Sequence, residues 1–500
     1  MSDLDIWPRK SAKKRGSTGE STSFTTKRVN ATTFVVQEHD AYGEIPLIYV
    51  KQHPTAPVII LSDTGCDEPS EKHKHDKIIH LRDYLEHHPV SANNSQPLNP
   101  GGKLKYIIIC THCHYDHTLG VPQFLAGGTT EIVASAAGRD FIESDLNSHG
   151  LFKYRDRPAP YYQVTKWAQA FERLQYPFKH DWDSSREPRR LPHLGGAPMS
   201  RRVRNTRPLP LGIAPQRLRE AVVRDAYASP ANELRMMWPA GLGLDPLPAS
   251  RSVEADEDVT SAAYADQHRQ SLGGHGVSSP ITSCHDIRQS FDFDAFIAAL
   301  PPVNSAASNP CSTAKPATVD LGITIIQTPG HTPDELAWYD HAEMHLSVGD
   351  SFYREGAEGM PIIFPGEGSL IEWVFSMQKL AVFVRSENAR AAAAFEEDGV
   401  EDDGWVHLNA EPPRVKVSCA HQTYDVDGAE ILAELEAFSF RVFIGKVPVV
   451  ASKTWHDGEI YDTWQETGED RTPMSIFAPR RMMEEARKFF GHDVAGQQGS

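Results

Sequence analysis

Residues 106–117 read YIIICTHCHYDH, the most informative stretch in the chain. Its first five residues form a short apolar run that predicts a buried strand, and His112, His114, Asp116 and His117 follow directly. His112 and His114 are two positions apart, so in an extended turn both side chains point the same way. Imidazole and carboxylate groups are the usual ligands of catalytic zinc. The stretch therefore predicts a metal site at the carboxyl end of a buried strand.

Three later apolar runs also lead into a histidine or an aspartate. ITIIQ precedes His331, MHLSV precedes Asp350, and VKVSC precedes His421. Together with the first cluster they give seven candidate ligands, which is the number that two zinc ions sharing a bridging carboxylate require. The predicted cofactor is a pair of zinc ions, and manganese or iron are alternatives because they bind the same groups.

The ligand series resembles that of the metallo-β-lactamase superfamily. The pattern His-x-His-x-Asp-His at 112–117, followed by His331, Asp350 and His421, matches the full series of that superfamily. The segment LSDTG at 61–65 resembles its first motif, whose aspartate, here Asp63, supports the metal loop without binding the metal. The resemblance covers roughly residues 30–180 and 316–425, and it implies an α/β fold, an αββα sandwich.

The resemblance also implies a role for each ligand. His112, His114 and His331 would hold one zinc ion, and Asp350 would bridge it to the second. Asp116, His117 and His421 would hold that second ion. A bridging aspartate is typical of lactonases, glyoxalase II-type thioesterases and phosphodiesterases, whereas the true β-lactamases lack it.

Tyr353 lies three residues beyond the bridging aspartate. That spacing is similar to acyl-homoserine lactone lactonases, in which a tyrosine there contacts the substrate carbonyl, and the alternative is a packing residue in the core or at the rim. After His331 the chain reads Thr332-Pro333-Asp334, which departs from the Gly-His pair of bacterial lactonases and leaves the substrate class open. The polar N-terminus and a long insert look like filamentous-fungal members of the superfamily.

Apolar periodicity outlines a layered α/β domain in two halves. Strands are predicted at 34–37, 47–50 and 58–61, joined by short loops and hence antiparallel. The predicted helices span residues 70–87, 138–146, 368–396 and 428–441. Strands and helices that alternate in both halves favour a sheet sandwich flanked by helices.

The distribution of lysine marks the domain boundaries. None of the 19 lysines lies between Lys179 and Lys315, and the segment between them is rich in proline, glycine, serine and alanine. His117 and His331 are 214 residues apart, which is long for the superfamily, but only 79 apart without that segment. We predict a disordered tail at 1–21, two halves of one domain at 22–180 and 316–490, the second with C-terminal helices, and a low-complexity, disordered insert at 181–315. The alternative is that this segment is an artefact of the gene model and not a true insert.

Composition excludes several classes of function. The net charge of −17 disfavours nucleic acid as a partner, because an acidic chain repels phosphate backbones. The sequence contains no run of 18 apolar residues, so a transmembrane helix is not expected. The polar N-terminus lacks the apolar core of a secretory signal. Six cysteines without paired spacing fit reduced thiols. A cytoplasmic protein with a small-molecule substrate is expected, and the sequence does not indicate its oligomeric state.

The expected activity is metal-dependent hydrolysis of a small cyclic ester or amide, in fungal secondary metabolism or detoxification. Hydroxide held by two zinc ions would attack the carbonyl carbon. Asp116 would orient that hydroxide and carry its proton to the leaving group, and Tyr353 would stabilise the oxyanion. Two alternatives stay open: an acyl-thioester hydrolase, of the polyketide-releasing or glyoxalase II-like kind, and a non-catalytic metal-binding scaffold.

Overall fold

The structure of the chain is a computed structural model that describes residues 20–125, 130–178, 318–356, 359–401, 411–469 and 471–492. Almost all of the predicted tail at 1–21 and the whole predicted insert at 181–315 lie outside the described residues. The two predicted halves of the domain fall mostly within them.

The first half of the chain forms a seven-stranded sheet whose strands follow one another in sequence order. Its strands are β1 (Phe24–Arg28), β2 (Thr33–Glu38), β3 (Leu47–Gln52), β4 (Val58–Ser62), β5 (Lys105–Ile109), β6 (Glu131–Ser135) and β7 (Lys166–Ala168). Strands β1 to β4 pair antiparallel, as the short loops predicted, and β4 to β7 pair parallel. The carboxyl ends of the parallel strands therefore share one edge of the sheet.

A second sheet contains six strands, most of them from the second half of the chain. They are β8 (Arg173–Tyr176), β9 (Val319–Gln327), β10 (Leu336–Asp340), β11 (His345–Ser347), β13 (Lys416–Ser418) and β14 (Val426–Asp427). Their order is β14-β13-β11-β10-β9-β8, and β11 and β13 run parallel.

The two sheets pack face to face. Along β4, Val58 and Ile60 join a core cluster with β9 and β10, whereas Ile59 and Leu61 join a cluster on the opposite face of the first sheet. Side chains alternate along a strand, so a central strand covered on both faces is apolar at every position. The indole Nε1 of Trp338, on β10, donates a hydrogen bond of 3.0 Å to Ser62 Oγ and so joins the two sheets.

Helices cover the outer faces of both sheets. The helices of the described residues are α1 (Leu81–His87), α2 (Tyr115–Thr118), α3 (Arg139–Ser144), α4 (Leu146–His149), α5 (Leu370–Glu401), α6 (Gly428–Phe443) and α7 (Arg480–Phe489), and α1 and α5 illustrate the outer cover. Leu81 and Leu85 of α1 pack in the outer cluster of the first sheet. On the second sheet, Phe383 of α5 lies 5.0 Å from the Tyr339 ring. This arrangement confirms the predicted αββα layering.

Two predicted helices are shorter than the periodicity indicated. The helix predicted over 70–87 begins only at Leu81, because Ile78 forms a parallel bridge with Thr22 and is held there in extended structure. The helix predicted near 138–146 is divided at Asp145, whose carboxylate accepts a hydrogen bond from Ser148 N and caps α4. A short polar side chain that bonds the backbone two or three residues on favours such a break.

A third sheet, most of whose strands lie beyond α6, was not predicted from the sequence. It has the order β12-β17-β16-β15, with strands at Ile362–Ile363, Ser475–Pro479, Ile460–Gln465 and Val449–Thr454 respectively. The signal for the hairpin was Asp457-Gly458, a turn dipeptide between two β-prone runs, and Gly458 has a φ of +82°. Within the described part of the chain, none of the helices has the length and apolar character to cross a membrane.

Candidate metal centre

All seven predicted ligands lie close together at one edge of the sandwich. The first four follow β5, and His331, Asp350 and His421 follow β9, β11 and β13. All seven residues are buried, with 1–6% of their surface exposed. Their donor atoms form two groups, each with every donor within 4.8 Å of the others.

The first group consists of three imidazoles, those of His112, His114 and His331. The Nδ1 atom of His114 lies 2.9 Å from His112 Nε2 and 3.1 Å from His331 Nε2. These separations are close to the spacing of two ligands on a tetrahedral ion with bonds of about 2.0–2.1 Å. The first group therefore has the form of a three-histidine site.

The second group pairs two imidazoles with two carboxylates. Asp116 Oδ2 lies 3.2 Å from His117 Nε2 and 3.3 Å from His421 Nε2. Asp350 Oδ1 lies 3.3 Å from His421 Nε2, and Asp350 Oδ2 lies 3.4 Å from His117 Nε2. Asp350 Oδ2 is also 3.8 Å from His331 Nε2 of the first group. Asp350 thus stands between the two groups, where a shared ligand has to be.

The donor set fits two divalent cations. His117 Nε2, His421 Nε2 and Asp350 Oδ1 are buried and have no hydrogen-bond partner among the described residues. Leaving buried polar atoms unpaired is costly, and a cation at this point would satisfy all three. Nitrogen and carboxylate donors suit zinc, and they also suit iron and manganese.

The imidazoles of His112 and His117 are oriented by Thr111 and Asp63. Asp63 accepts hydrogen bonds from Thr111 N (2.8 Å), Thr111 Oγ1 (2.9 Å) and His117 Nδ1 (3.0 Å). Since the Thr111 hydroxyl donates to Asp63, its oxygen accepts from His112 Nδ1 at 3.1 Å. In the neutral form both imidazoles then carry their proton on Nδ1, which leaves Nε2 free to bind a cation.

Backbone carbonyls orient the two later histidines. His331 Nδ1 donates to Ile363 O at 2.6 Å, and His421 Nδ1 donates to Glu44 O at 2.9 Å. The loop that holds Glu44 is in turn fixed by Asp40, whose carboxylate accepts four backbone N–H groups of residues 42–45. These partners could not be predicted from the sequence, because any residue type can supply a backbone carbonyl.

Two glycines next to ligands allow close approach of the backbone. A Cβ on Gly330, which precedes His331, would lie 2.5 Å from the Cα of Trp373. Gly349, which precedes Asp350, has a φ of +58°, and its Cβ would lie 3.0 Å from Thr111 Cβ. Only glycine fits these positions, so the backbone before each of the two predicted ligands can approach its neighbour closely.

The electrostatics differ between the two groups. Burial and the neighbouring imidazoles lower the pKa of His112, and burial above all lowers that of His114, to about 3, and that of His331, so the neutral form is favoured in the first group. In the second group burial opposes the charged forms, but the attraction between Asp350 or Asp116 and the imidazoles outweighs it. The pKa of His117 and His421 is consequently raised, and that of both aspartates is lowered.

Both groups open into a pocket of about 390 Å³ that includes Tyr353 in its lining. Tyr353 is 1% exposed, its ring lies 5.8 Å from that of His421, and its hydroxyl donates a 2.8 Å hydrogen bond to Pro361 O. A phenol has one proton to donate. To donate to a substrate carbonyl, the Tyr353 hydroxyl would therefore have to break its hydrogen bond with Pro361 O.

Replacing Asp63 with asparagine is expected to weaken metal binding by about 10–100-fold, the usual cost of removing the partner of a ligand histidine. The amide cannot accept from Thr111 and His117 together as the carboxylate does. Titration of the metal-free protein against a competing chelator measures the affinity. Asp83→Asn is the matched control, since that side chain is 63% exposed on α1. Equal affinities of Asp63→Asn and the unaltered chain would contradict the supporting role.

No protein-family model matches the sequence. A curated protein of Aspergillus versicolor named "Putative transcription factor avaE" is 45% identical over 103 residues, and the match spans 21% of this chain but only 30% of that protein.

Among solved structures, a metallo-β-lactamase from Pontibacter korlensis aligns over 83% of this chain and 97% of its own, at 9% identity and a TM-score of 0.33. A metallo-β-lactamase family protein of Thermus thermophilus, TTHA1429, aligns over 84% of both chains at 12% identity and a TM-score of 0.32. TTHA1623 in a di-iron-bound form aligns over 78% and 93%, at 12% identity and a TM-score of 0.30.

Proposed function

We propose that this chain is a metal-dependent hydrolase of the metallo-β-lactamase type that opens a small cyclic ester or amide. The observation that carries the proposal is the pair of buried donor groups on either side of Asp350, both facing one pocket. One ion would be held by His112, His114 and His331. The other would be held by Asp116, His117 and His421, and Asp350 would bind both ions.

Metal ions in such a site lower the pKa of a bound water to about 7 and polarise a carbonyl oxygen. The protein supplies orientation and proton transfer. Asp116 lines the pocket, and its Oδ2 atom faces the imidazoles of His117 and His421. From that position its carboxylate can orient the attacking water, accept its proton and deliver it to the leaving alkoxide or amine.

An acyl-thioester hydrolase is the second candidate, and one observation favours it. The lactonase interpretation relies on Tyr353 as a hydrogen-bond donor to the substrate, but that hydroxyl already donates to Pro361 O. A thioesterase with the same ligands would not depend on this tyrosine. Both candidates are hydrolases of a carbonyl compound, and they differ only in the group that leaves.

Metal analysis combined with a matched substrate screen tests the proposal. We expect close to two metal ions per chain and turnover of δ-valerolactone or its lactam analogue, lost on chelation and restored by zinc, manganese or iron. Turnover of N-acetylcysteamine thioesters alone would favour the second candidate. Two bound ions without turnover of any substrate would leave a non-catalytic metal-binding scaffold and contradict both.

Replacing Tyr353 with phenylalanine is expected to lower kcat for the lactone by about ten- to a thousandfold, the range for the loss of one oxyanion donor. KM should change less, because the charge that this hydroxyl meets develops mainly in the transition state. Tyr49→Phe is a close control: that tyrosine is also 1% exposed and also donates to a backbone carbonyl, Cys419 O. An unchanged kcat in Tyr353→Phe would assign the residue to packing.

A further inference from the structure

The wall of the pocket that faces the metal ligands comes from the third sheet. Trp455, His456 and Asp457, in the turn between β15 and β16, line the same pocket as His114 and Asp116. The αββα layers supply the reactive end of this pocket, and the C-terminal hairpin supplies part of its far side. The hairpin is therefore placed to contact the part of a substrate that does not react.

The indole of Trp455 is held in place by two other rings. Its centroid lies 4.6 Å from the Tyr461 ring and 4.7 Å from the Phe477 ring. Those residues belong to β16 and β17, so the indole rests on the sheet and not on a free loop. A ring fixed in this way offers a preformed surface and loses little rotamer freedom on binding.

A second aromatic surface meets the first from a distant part of the chain. Tyr154, in the short helical turn at Phe152–Arg155, stacks on His456 with ring centroids 5.0 Å apart and planes at 26°. Tyr154 is 37% exposed, and both rings of this pair line the pocket. The pocket is thus bordered by an aromatic pair as well as by the indole.

Several charged side chains of the lining are already paired. Arg481 Nε lies 2.7 and 2.8 Å from the two carboxylate oxygens of Glu459. Arg155 Nη2 donates to Glu44 at 2.6 Å, and the Tyr461 hydroxyl donates to Asp457 Oδ2 at 2.7 Å. Two lysines lie against the rings themselves, Lys153 Nζ at 4.9 Å from the Tyr154 centroid and Lys453 Nζ at 5.1 Å from the Trp455 centroid. The rings are consequently the surfaces of this wall that are suited to contact a flat group.

We propose that this pocket selects planar aromatic acyl compounds, in which the hydrolysable carbonyl belongs to or adjoins a ring fused to an aromatic system, over aliphatic ones. This inference rests on the proposed hydrolase function and specifies its substrate class. Aromatic rings attract one another in stacked or edge-to-face geometry at centroid distances of about 4.5–7 Å, beyond the area that they bury. Loss of one such contact is expected to reduce the preference about tenfold.

Two six-membered lactones provide the test: dihydrocoumarin, which carries a fused benzene ring, and δ-valerolactone, which does not. The ratio of their kcat/KM values is measured in the unaltered chain and in Trp455→Ala, so that differences in intrinsic reactivity cancel. We expect the ratio to fall about tenfold in Trp455→Ala, less in Trp455→Phe, and by a smaller factor in His456→Ala. Ile460→Ala is the matched control, because Ile460 is 46% exposed on the same hairpin and does not line the pocket.

Binding of 2-naphthamide to the chelator-treated protein separates this inference from the proposed reaction. Calorimetry should show binding that Trp455→Ala weakens about tenfold and Ile460→Ala leaves unchanged. If neither lactone is hydrolysed and the amide still binds in this way, the hydrolase proposal fails and the aromatic pocket stands. A lactone ratio and an amide affinity that are the same in all variants would overturn the inference.

Discussion

Asp350→Ala is expected to bind fewer than two metal ions per chain and to lose at least about a thousandfold in kcat/KM. Asp350 contacts His117 and His421 of one donor group and approaches His331 of the other, so its removal affects both groups. Loss of a single preorganised electrostatic group at a reacting centre typically lowers the rate by about 10²–10³. The loss should be at least as large here, because this carboxylate adjoins both donor groups. Metal content by mass spectrometry and steady-state kinetics measure the two effects.

The control for this variant is Asp83→Ala, which removes an exposed carboxylate of α1 and should change neither quantity. Circular dichroism of both variants establishes that the fold is kept. Two tightly bound ions in Asp350→Ala would show that the carboxylate is not shared between the groups, and the arrangement proposed here would then be wrong.

Trp338→Ala is expected to lower the free energy of unfolding by about 3–5 kcal/mol, the range for truncating a large aromatic side chain in a core. Trp338 is fully buried between the two sheets, and its Nε1 atom donates to Ser62 Oγ. Its removal leaves a cavity and takes away the donor of that bond. Urea unfolding of the chelator-treated protein measures the effect without the contribution of bound metal.

Trp338→Phe keeps a ring at the same place, so it should cost less than Trp338→Ala. Val319→Ala, at a 39% exposed position of β9, should change the stability by no more than about 0.5 kcal/mol. A loss below about 1 kcal/mol in Trp338→Ala would contradict the face-to-face packing of the sheets around this residue.

The central strands and the ligand positions were predictable from the sequence for one physical reason. Strands such as β4 and β5 are covered on both faces, so they appear as uninterrupted apolar runs with clear ends. Polar residues directly after such a run stand at the edge of the sheet, and the edges of both sheets lie together. The place of each predicted ligand directly after an apolar run was therefore enough to predict that it lies at this shared edge.

Other parts of the structure had no such local signal. The carbonyl of Glu44 holds His421, a residue 377 positions away, and any residue type could supply that oxygen. All six residues of β15 are exposed, so its sequence lacks the alternation of a half-buried strand. The start of α1 depended on the bridge between Thr22 and Ile78, a contact that periodicity within residues 70–87 does not reveal.

The two donor groups draw their members from both sheets, and this has a consequence for the stability of the sandwich. His112 and His114 follow a strand of the first sheet, whereas His331 follows a strand of the second, and the other group is divided in the same way. An ion bound in either group would thus be a removable cross-link between the layers. At a thousand times its dissociation constant, each ion would add about 4 kcal/mol to the free energy of unfolding. Removal of the ions by a chelator would then weaken the interface between the two sheets, whereas the hydrogen bonds within each sheet would be unchanged.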